Sequence, residues 1–211
     1  MTNILFVSSS PRGAASQSSK VAELLIAGIQ AEDPTATVTK RDLAADPLPH
    51  LDGNFLGAVF GPAETHTPEQ ARLLALSDQL VDEVLAADVI VIASAMINFT
   101  VTSTLKSWFD FIARGGRTFR YGENGPEGLV KGKRVVVVEA KGGIYSDGPM
   151  KIHDYQQPWI RFMLGFLGMT DVEIIHVEGQ ALGPDRAAQG VTEAGTRAEA
   201  AARAIAGRVA A

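Results

Sequence analysis

The chain has 211 residues, 46% of them hydrophobic and 20% charged, a composition that predicts one soluble globular domain over residues 1–211. The net charge of −5 gives no basic surface for nucleic acid or for an anionic membrane, so neither is an expected partner. The lack of cysteine excludes disulfides, thiolate metal sites and thiol nucleophiles, and it fits a reducing compartment such as the cytoplasm.

Short β-branched runs alternate with longer segments of helical periodicity along the chain. Residues 1–7 run into the first predicted strand and lack the basic start and the apolar length of a signal peptide. The predicted strands cover residues 4–7, 37–41, 88–93, 134–139 and 172–177. The predicted helices cover residues 16–31, 68–86, 103–114 and 155–167, and the tail from 184. This alternation predicts a parallel sheet with helices on both faces.

Two long stretches, 42–67 and 117–133, are rich in glycine and proline and show no clear periodicity. We expect irregular structure in both of them. Loops of this length usually carry function or cover another subunit.

Ligands of open α/β sheets bind beyond the carboxyl ends of the strands. The segment 8–18 follows the first predicted strand there and leads into the start of a helix, where N–H groups and the helix dipole favour an anion. The hydroxyls of Ser10, Ser16 and Ser18 add neutral donors that suit a monophosphate. The alternative is that Ser16 only caps the helix and that the other serines form turns.

The segment Met96–Phe99 follows the central predicted strand and places Asn98 between large apolar residues. One interpretation is a wall for a flat apolar ring, with Asn98 at the polar edge of that ring. The other is a turn that enters the next helix, with Asn98 as its cap and Phe99 in the core. The segment by itself does not decide between them.

A glycine pair, Gly142 and Gly143, follows the fourth predicted strand. Glycine lets the backbone approach a ligand closely, although the pair also fits a simple turn. The histidines are scattered without metal-ligand spacing, and no hydrolase elbow, Walker loop or G-x-G-x-x-G motif is present. We therefore expect no catalytic metal, and a cofactor would account for the lack of an acid/base constellation.

Short motifs in a fixed order give the chain a resemblance to a known family over nearly its whole length. They are Ser10, Ser16–Ser18, Arg41–Ala44, Leu76–Asp78, Met96–Phe99, Leu105–Asp110, Thr118–Tyr121, Glu123–Leu129 and Gly142–Gly143. The chain resembles the FMN-dependent NADH-azoreductases, within the flavodoxin-like NAD(P)H:quinone reductases. The resemblance implies a flavodoxin-like three-layer α/β sandwich with a five-stranded parallel sheet in the order 2-1-3-4-5.

The resemblance also implies an FMN site made of three groups of residues. The phosphate is held by Ser10, Ser16, Gln17 and Ser18. The isoalloxazine is lined by Met96, Ile97, Asn98 and Phe99. The pyrimidine side is contacted by Ala140, Lys141, Gly142 and Gly143.

The implied activity is a two-electron ping-pong reduction of quinones or azo compounds with NADH or NADPH. The implied assembly is a homodimer with its active sites at the subunit interface. Two departures stand out, because the family often has Tyr at the position of Ile97 and Ser at that of Ala140. We expect both changes to affect substrate range and potential more than FMN binding itself.

Two further expectations concern the assembly and the mechanism. The large apolar residues around the third predicted helix favour burial on more than one side, and therefore a dimer, although part of that surface could be simple core. They are Phe99, Trp108, Phe109, Phe111 and Ile112. No side chain is expected to be an indispensable acid or base, with Tyr121 and Tyr145 as the candidate exceptions.

Competing hypotheses are a flavodoxin-type electron carrier and a non-catalytic dimeric module. The modest net charge and the two long stretches argue against the carrier, which usually presents a strongly acidic docking face.

Overall fold

The computed structural model describes residues 1–209, without the side chains of Arg208 and Val209. Its strands are β1 (Asn3–Ser8), β2 (Thr37–Asp42), β3 (Val89–Ala95), β4 (Phe119–Gly122), β5 (Gly125–Gly128), β6 (Arg134–Ala140) and β7 (Asp171–Val177). Its α-helices are α1 (Gln17–Glu32), α2 (Gly53–Phe60), α3 (Pro68–Ala86), α4 (Ser103–Ile112), α5 (Gln156–Leu167) and α6 (Pro184–Val209).

Five parallel strands form one sheet in the order β2-β1-β3-β6-β7. This is the predicted order of the five parallel strands, and the numbers differ only because the antiparallel pair β4–β5 lies between β3 and β6. The central strand β3 is buried on both faces, as its continuous apolar run predicts.

The sheet separates two apolar clusters. On one face Val89, Val91 and Ala93 of β3 pack with apolar residues of α1 and α6. On the other face Ile90 and Ile92 pack with residues of α2, α3, α4 and α5. Helices therefore cover both faces, which confirms the layered α/β architecture.

The prediction of irregular structure in residues 42–67 is wrong where α2 forms. The Asp52 carboxylate accepts a hydrogen bond from Phe55 N at 2.9 Å and thereby caps this short helix. The side chains of Phe55 and Ala58 are buried, and the Phe55 ring lies 4.5 Å from that of Phe111. Tertiary packing thus stabilises eight residues that are too short to show a helical period.

The second stretch also contains regular structure, since β4 and β5 pair as a hairpin within it. Gly122 and Gly125 close the hairpin around two residues, and Gly125 adopts a positive φ of 101° that glycine accommodates. Phe119 packs on Phe166 of α5, with ring centroids 4.7 Å apart. This contact attaches the hairpin to the main body.

The large apolar residues of α4 do not form an exposed face. Trp108, Phe109, Phe111 and Ile112 are all fully buried within the same chain. These residues therefore belong to the core, covered by α2, α3 and α5, and they give no support for a second subunit. Only Phe99, which precedes the helix, is exposed. Among residues 1–209, no helix is long and apolar enough to cross a membrane.

Gly28 of α1 tests the packing between α1 and α6, and Gly165 of α5 provides a control. A Cβ at Gly28 would lie 2.8 Å from the Cβ of Ala202, whereas a Cβ at Gly165 of α5 meets nothing within 4 Å. We expect Gly28→Ala to lower the free energy of unfolding by about 1–3 kcal/mol through overpacking. The control Gly165→Ala should raise it by about 0.5–1 kcal/mol. Urea denaturation followed by circular dichroism measures both, and a neutral or stabilising Gly28→Ala would contradict the close helix contact.

Candidate functional site

The register of β3 with its neighbours brings three loops to one edge of the sheet. Ser8 of β1 is paired with Ala93, and Ala95 is paired with Ala140 of β6. The pairing continues past the strands, since Met96 N donates to the carbonyl of Ala140 at 2.8 Å. The loops after β1, β3 and β6 therefore leave the sheet side by side, as the rule for open α/β sheets predicts.

A cavity of about 210 Å³ lies between these loops. Eight of the predicted site residues line it, namely Ser10, Ser16, Gln17, Met96, Ile97, Ala140, Lys141 and Gly142. Four others are not among the lining residues, namely Ser18, Asn98, Phe99 and Gly143. The structure thus brings all three predicted segments together around one space.

The serine-rich loop ends in the cap of α1. The Ser16 hydroxyl oxygen accepts a hydrogen bond from Ser19 N at 3.2 Å and lies 3.1 Å from Oγ of Ser18, and both serines are buried. Ser16 is therefore the N-cap of α1, as the alternative interpretation of this serine predicts. The cap leaves N–H groups at the helix start, beside the cavity, and these groups together with the helix dipole favour an anion.

The Met96–Phe99 segment forms a strained turn. Ile97 and Thr100 exchange two backbone hydrogen bonds, of 2.9 and 3.1 Å, across it. Between them Asn98 and Phe99 both have a positive φ, of 47° and 70°, a conformation that side chains rarely adopt. Strain of this kind clusters at functional sites.

This turn does not enter α4 in the way that the simple interpretation requires. The cap of α4 is Thr102, whose hydroxyl accepts from Leu105 N at 3.2 Å, and not Asn98. Phe99 is 46% exposed and does not lie in the core. The helix-entry interpretation is therefore wrong, and the segment presents its side chains at the surface beside the cavity.

The glycine loop is held in place through its carbonyl groups. The carbonyl oxygens of Gly142 and Gly143 accept from Ala181 N at 2.9 Å and from Gly179 N at 3.1 Å. Within residues 1–209, the N–H groups of the same two glycines donate no hydrogen bond. Like the N–H groups at the start of α1, these two are therefore available to a ligand.

The segment after β7 also belongs to the site, although no motif in its sequence predicts this. Gln180 and Ala181 line the cavity, and Gln180 N donates to the carbonyl of Lys141 at 3.2 Å. The signal that points to them is topological. They follow the carboxyl end of the strand next to β6, but their residue types suggest no chemistry.

The side chain of Lys141 is directed into a buried cluster and not toward the cavity. Its Nζ donates to Oδ2 of Asp154 at 2.5 Å and lies 2.9 Å from Oε2 of Glu139. Lys141 is 1% exposed and Glu139 is fully buried. Despite the ion-pair distance, the Glu139 oxygens have no hydrogen bond of good geometry within the described residues. Asp154 is therefore the main partner of Lys141.

This cluster shifts the pKa values of its members. Burial raises the pKa of Glu139 to about 7, against the opposing effect of Lys141. The pKa of Lys141 is raised, because the two carboxylates outweigh the effect of burial. Burial, followed by the positive charge of Lys141, lowers the pKa of His176, whose Nδ1 lies 3.6 Å from the Glu139 carboxylate. Lys141 therefore stays charged while Glu139 titrates near neutrality.

The two tyrosines considered as proton donors occupy different places. Tyr145 packs edge-on against Phe99, with ring centroids 6.4 Å apart, so it lies at the margin of the cavity. Tyr121 is 77% exposed on the hairpin and packs against Phe119. Neither residue is among those that line the cavity.

A larger groove, of about 700 Å³, lies away from these loops, between β1, β2 and α3. Its walls carry the carboxylates of Asp78, Asp82 and Glu83. These carboxylates are already paired with arginines, Glu83 with Arg41 and both Asp78 and Asp82 with Arg117. The groove lies toward the amino ends of β1 and β2, whereas ligands of open α/β sheets bind at the carboxyl ends, so size alone does not identify the site. The smaller cavity at the carboxyl edge of the sheet is the candidate.

The chain is similar to known proteins over nearly its whole length. The sequence profile of a family described as having a flavodoxin-like fold matches residues 2–202. The chain belongs to this family. A relative from Burkholderia lata, named FMN-dependent NADH:quinone oxidoreductase 6, is 53% identical over 197 residues, which are 93% of this chain and 97% of the relative. One from Mesorhizobium japonicum, named FMN-dependent NADH:quinone oxidoreductase, is 48% identical over 198 residues, which are 94% of each chain.

Two solved structures are similar to this flavodoxin-like protein over almost the whole chain. An azoreductase from Bacillus anthracis has a TM-score of 0.88 at 30% identity and covers 96% of this chain and 99% of its own. An FMN-dependent NADH-azoreductase from the same species, in complex with FMN, has a TM-score of 0.89 at 27% identity and covers 98% and 100%.

The buried Glu139 predicts a pH dependence of the stability of this flavodoxin-like protein. Its pKa is about 7 in the folded chain and 4.5 ordinarily, so unfolding releases a proton between these values. The contribution of Glu139 is fully present below pH 4.5 and is lost as the pH rises through 7, by about 1.4 kcal/mol per unit of pKa difference.

The measurement is the free energy of unfolding by urea from pH 4 to 8 for the wild type and for Glu139→Gln, in which that group cannot titrate. His176, with its lowered pKa, acts in the opposite direction, so the difference between the two proteins is the quantity to compare. We expect Glu139→Gln to gain relative stability up to about pH 7 and then to stay level. Parallel curves across the range would contradict the raised pKa.

Proposed function

We propose that this protein is an FMN-dependent NAD(P)H oxidoreductase that reduces quinones and azo compounds by a two-electron ping-pong cycle. The observation that carries the proposal is the cavity at the sheet edge, where a helix start, a strained turn and a pair of free N–H groups meet. The names of the two quinone oxidoreductase relatives and of the FMN-bound azoreductase support it.

The chemistry of the cavity fits FMN. Its two ends differ, with the start of α1 and the hydroxyls of Ser10 and Ser16 at one and the Gly142 N–H, followed by that of Gly143, at the other. A monophosphate and the polar edge of a flavin ring match these ends. Space is limited at the glycines, since a Cβ at Gly143 would lie 3.2 Å from the Tyr145 ring and one at Gly142 3.4 Å from Ala181.

Three groups of residues then hold the cofactor. We assign the phosphate to Ser10, Ser16, Gln17 and Ser18. We assign the ring faces to Met96, Ile97, Asn98 and Phe99. We assign the pyrimidine side to Ala140, Lys141, Gly142 and Gly143, with Lys141 contributing through its backbone because its side chain lies in the buried cluster.

When bound, FMN supplies a ring system that accepts two electrons from a reduced nicotinamide and passes them to an acceptor. The chain contributes binding, orientation and charge stabilisation. The Gly142 N–H shares a peptide plane with the carbonyl of Lys141, which accepts from Gln180 N, and the Gly143 N–H shares one with the carbonyl of Gly142, which accepts from Ala181 N. Both N–H groups are thereby fixed, and they would stabilise negative charge at the polar edge of a bound flavin without reorganising. The Ile97–Thr100 bridge holds the strained turn, and Phe99 is thereby presented at the mouth of the cavity.

Ile97 and Ala140, the two departures from the family pattern, affect which acceptors the site favours. Ile97 is 41% exposed and offers an aliphatic surface to the ring or to the acceptor. Ala140 lines the cavity without a hydroxyl donor. Both features favour apolar acceptors, which suits quinones and azo dyes.

We also propose a homodimer with its active sites at the interface. The aromatic residues of α4 no longer support it, but exposed apolar residues around the start of α5 do. They are Met150, Ile152, Tyr155 and Phe162, and the last is 68% exposed. This surface adjoins the Phe99 side of the cavity through the hydrogen bond from Tyr155 N to Phe99 O. Light scattering at micromolar concentration should give the mass of two chains, and the mass of one chain would contradict the dimer.

Two broader proposals accompany the activity. We propose a single domain, since both apolar clusters share one sheet and the family match runs nearly from end to end. The cytoplasmic location remains a prediction, and fractionation of the source cells tests it.

The activity is tested with the purified protein. We expect the spectrum of a bound flavin, and heat release should yield FMN and not FAD. Without air, NADH or NADPH should bleach the flavin and a quinone should restore its colour. Steady NADH oxidation in the presence of a quinone supports the enzyme, whereas bleaching without turnover would indicate the electron carrier. A protein that binds no FMN would refute the proposal.

Two glycine variants test whether FMN binds in this cavity. Gly143→Val should weaken FMN binding at least about tenfold, equivalent to about 1.4 kcal/mol, because the side chain must displace the loop or the Tyr145 ring. A Cβ at Gly53 meets nothing within 4 Å, so Gly53→Val is the control and should bind FMN as the wild type does.

The proposed mechanism needs no protein-borne acid, because water can supply the protons of the product. Tyr121→Phe, Tyr145→Phe and the double variant should therefore keep FMN and lose quinone reductase activity by no more than a few-fold. A fall of about a hundredfold, typical of a lost general acid, would contradict this mechanism. Stopped-flow measurement of the reoxidation step by a quinone separates that loss from slower flavin reduction.

A further inference from the structure

One short segment connects the two loops that form opposite walls of the cavity. Asp154–Gln156, here called the Asp154 junction, runs from the end of a 3-10 helix into the first residue of α5. Tyr155 N donates to Phe99 O at 3.1 Å, which ties the junction to the strained turn. The Asp154 carboxylate accepts from Lys141 Nζ at 2.5 Å, which ties it to the glycine loop.

The junction is well ordered by further hydrogen bonds. Oδ1 of Asp154 accepts from the backbone N–H groups of Gln156 and Gln157 at 3.0 and 3.1 Å, as a helix cap does. The Gln156 amide donates to Ser94 Oγ at 2.9 Å, at the end of β3. One carboxylate therefore fixes the start of α5 with one oxygen and the glycine loop with the other.

The ion pair is costly, and stability does not explain it. Lys141 is 1% exposed, and the Asp154 side chain is 7% exposed. Removing such charges from water costs about as much as their attraction returns, so the ion pair by itself adds little to the stability of the fold. A role in placing the loop and in setting the local charge accounts for the pair.

We propose that Lys141 and Asp154 are positioning residues whose buried ion pair holds the glycine loop against the Met96–Phe99 turn and whose opposite charges bias the reduction potential of the flavin in opposite directions. The proposal rests on the FMN site proposed above. Reduction adds negative charge to the ring, so a nearby cation favours the reduced form and a nearby anion opposes it.

The variants Lys141→Met and Asp154→Asn separate positioning from simple folding. Asparagine keeps an oxygen that can still accept from Gln156 N and Gln157 N, so the helix cap survives. The control is Arg134→Met, at the opposite end of β6, where Arg134 pairs with Asp171 and Glu173 and its side chain is 18% exposed. Each variant removes an ion pair at one end of β6. Only Lys141→Met and Asp154→Asn remove the pair that holds the glycine loop.

The measurements are FMN affinity by fluorescence titration of the apoprotein, the midpoint potential of the bound flavin, and the melting temperature of the apoprotein. Each of the first two variants should weaken FMN binding about tenfold, or about 1.4 kcal/mol. The potential should fall in Lys141→Met and rise in Asp154→Asn. Arg134→Met should lower the melting temperature and leave affinity and potential unchanged.

The double variant Lys141→Met/Asp154→Asn guards against a single variant that fails to fold. The potentials are measured below the pKa of Glu139, which is about 7, so that this third member of the cluster stays neutral. With both charges removed, the potential should then return close to that of the wild type while FMN binding stays weak. Shifts of potential in the same direction in the two single variants, or a double variant with wild-type affinity, would overturn the inference. Wild-type protein that binds no FMN would refute the proposed function, whereas wild-type binding with unaffected variants would refute only the role of the pair.

Discussion

The backbone hydrogen bonds that β3 makes with β1 and β6 determine where every part of the site lies. Their register continues beyond the strands, since Ser9 N donates to Ala93 O and Met96 N donates to Ala140 O. A slip by one residue on either side would turn each strand over and separate the loops. The register is enforced by burial, because β3 is enclosed by apolar clusters on both of its faces.

Around this framework the site combines rigid and strained elements. Two consecutive left-handed residues, Asn98 and Phe99, cost about 1–3 kcal/mol each, and the surrounding contacts must supply that energy. The Ile97–Thr100 bridge and the bond from Tyr155 N to Phe99 O are those contacts. The glycine loop differs, since it is held by its carbonyls while its N–H groups stay free for a ligand.

Much of this arrangement could be predicted from the sequence. Continuous apolar runs such as 88–93 predict strands covered on both faces, and the order of elements predicts which strand ends meet. The helix α2 and the hairpin are not predictable in this way, because their glycines and prolines hide short elements that tertiary packing stabilises. Residue type indicates that Lys141 is cationic, but only the fold shows that its charge faces Asp154.

The spread of the site along the chain has a consequence for how the protein is made. The cavity draws residues from Ser10 near the beginning to Ala181 near the end, so no early portion of the growing polypeptide contains it. On a ribosome the serine loop emerges long before the strands that supply its opposite wall. A ligand that binds only the finished sheet stabilises the native state by mass action. Cofactor supply in the cell would then influence how much of the newly made chain survives proteolysis, quite apart from turnover.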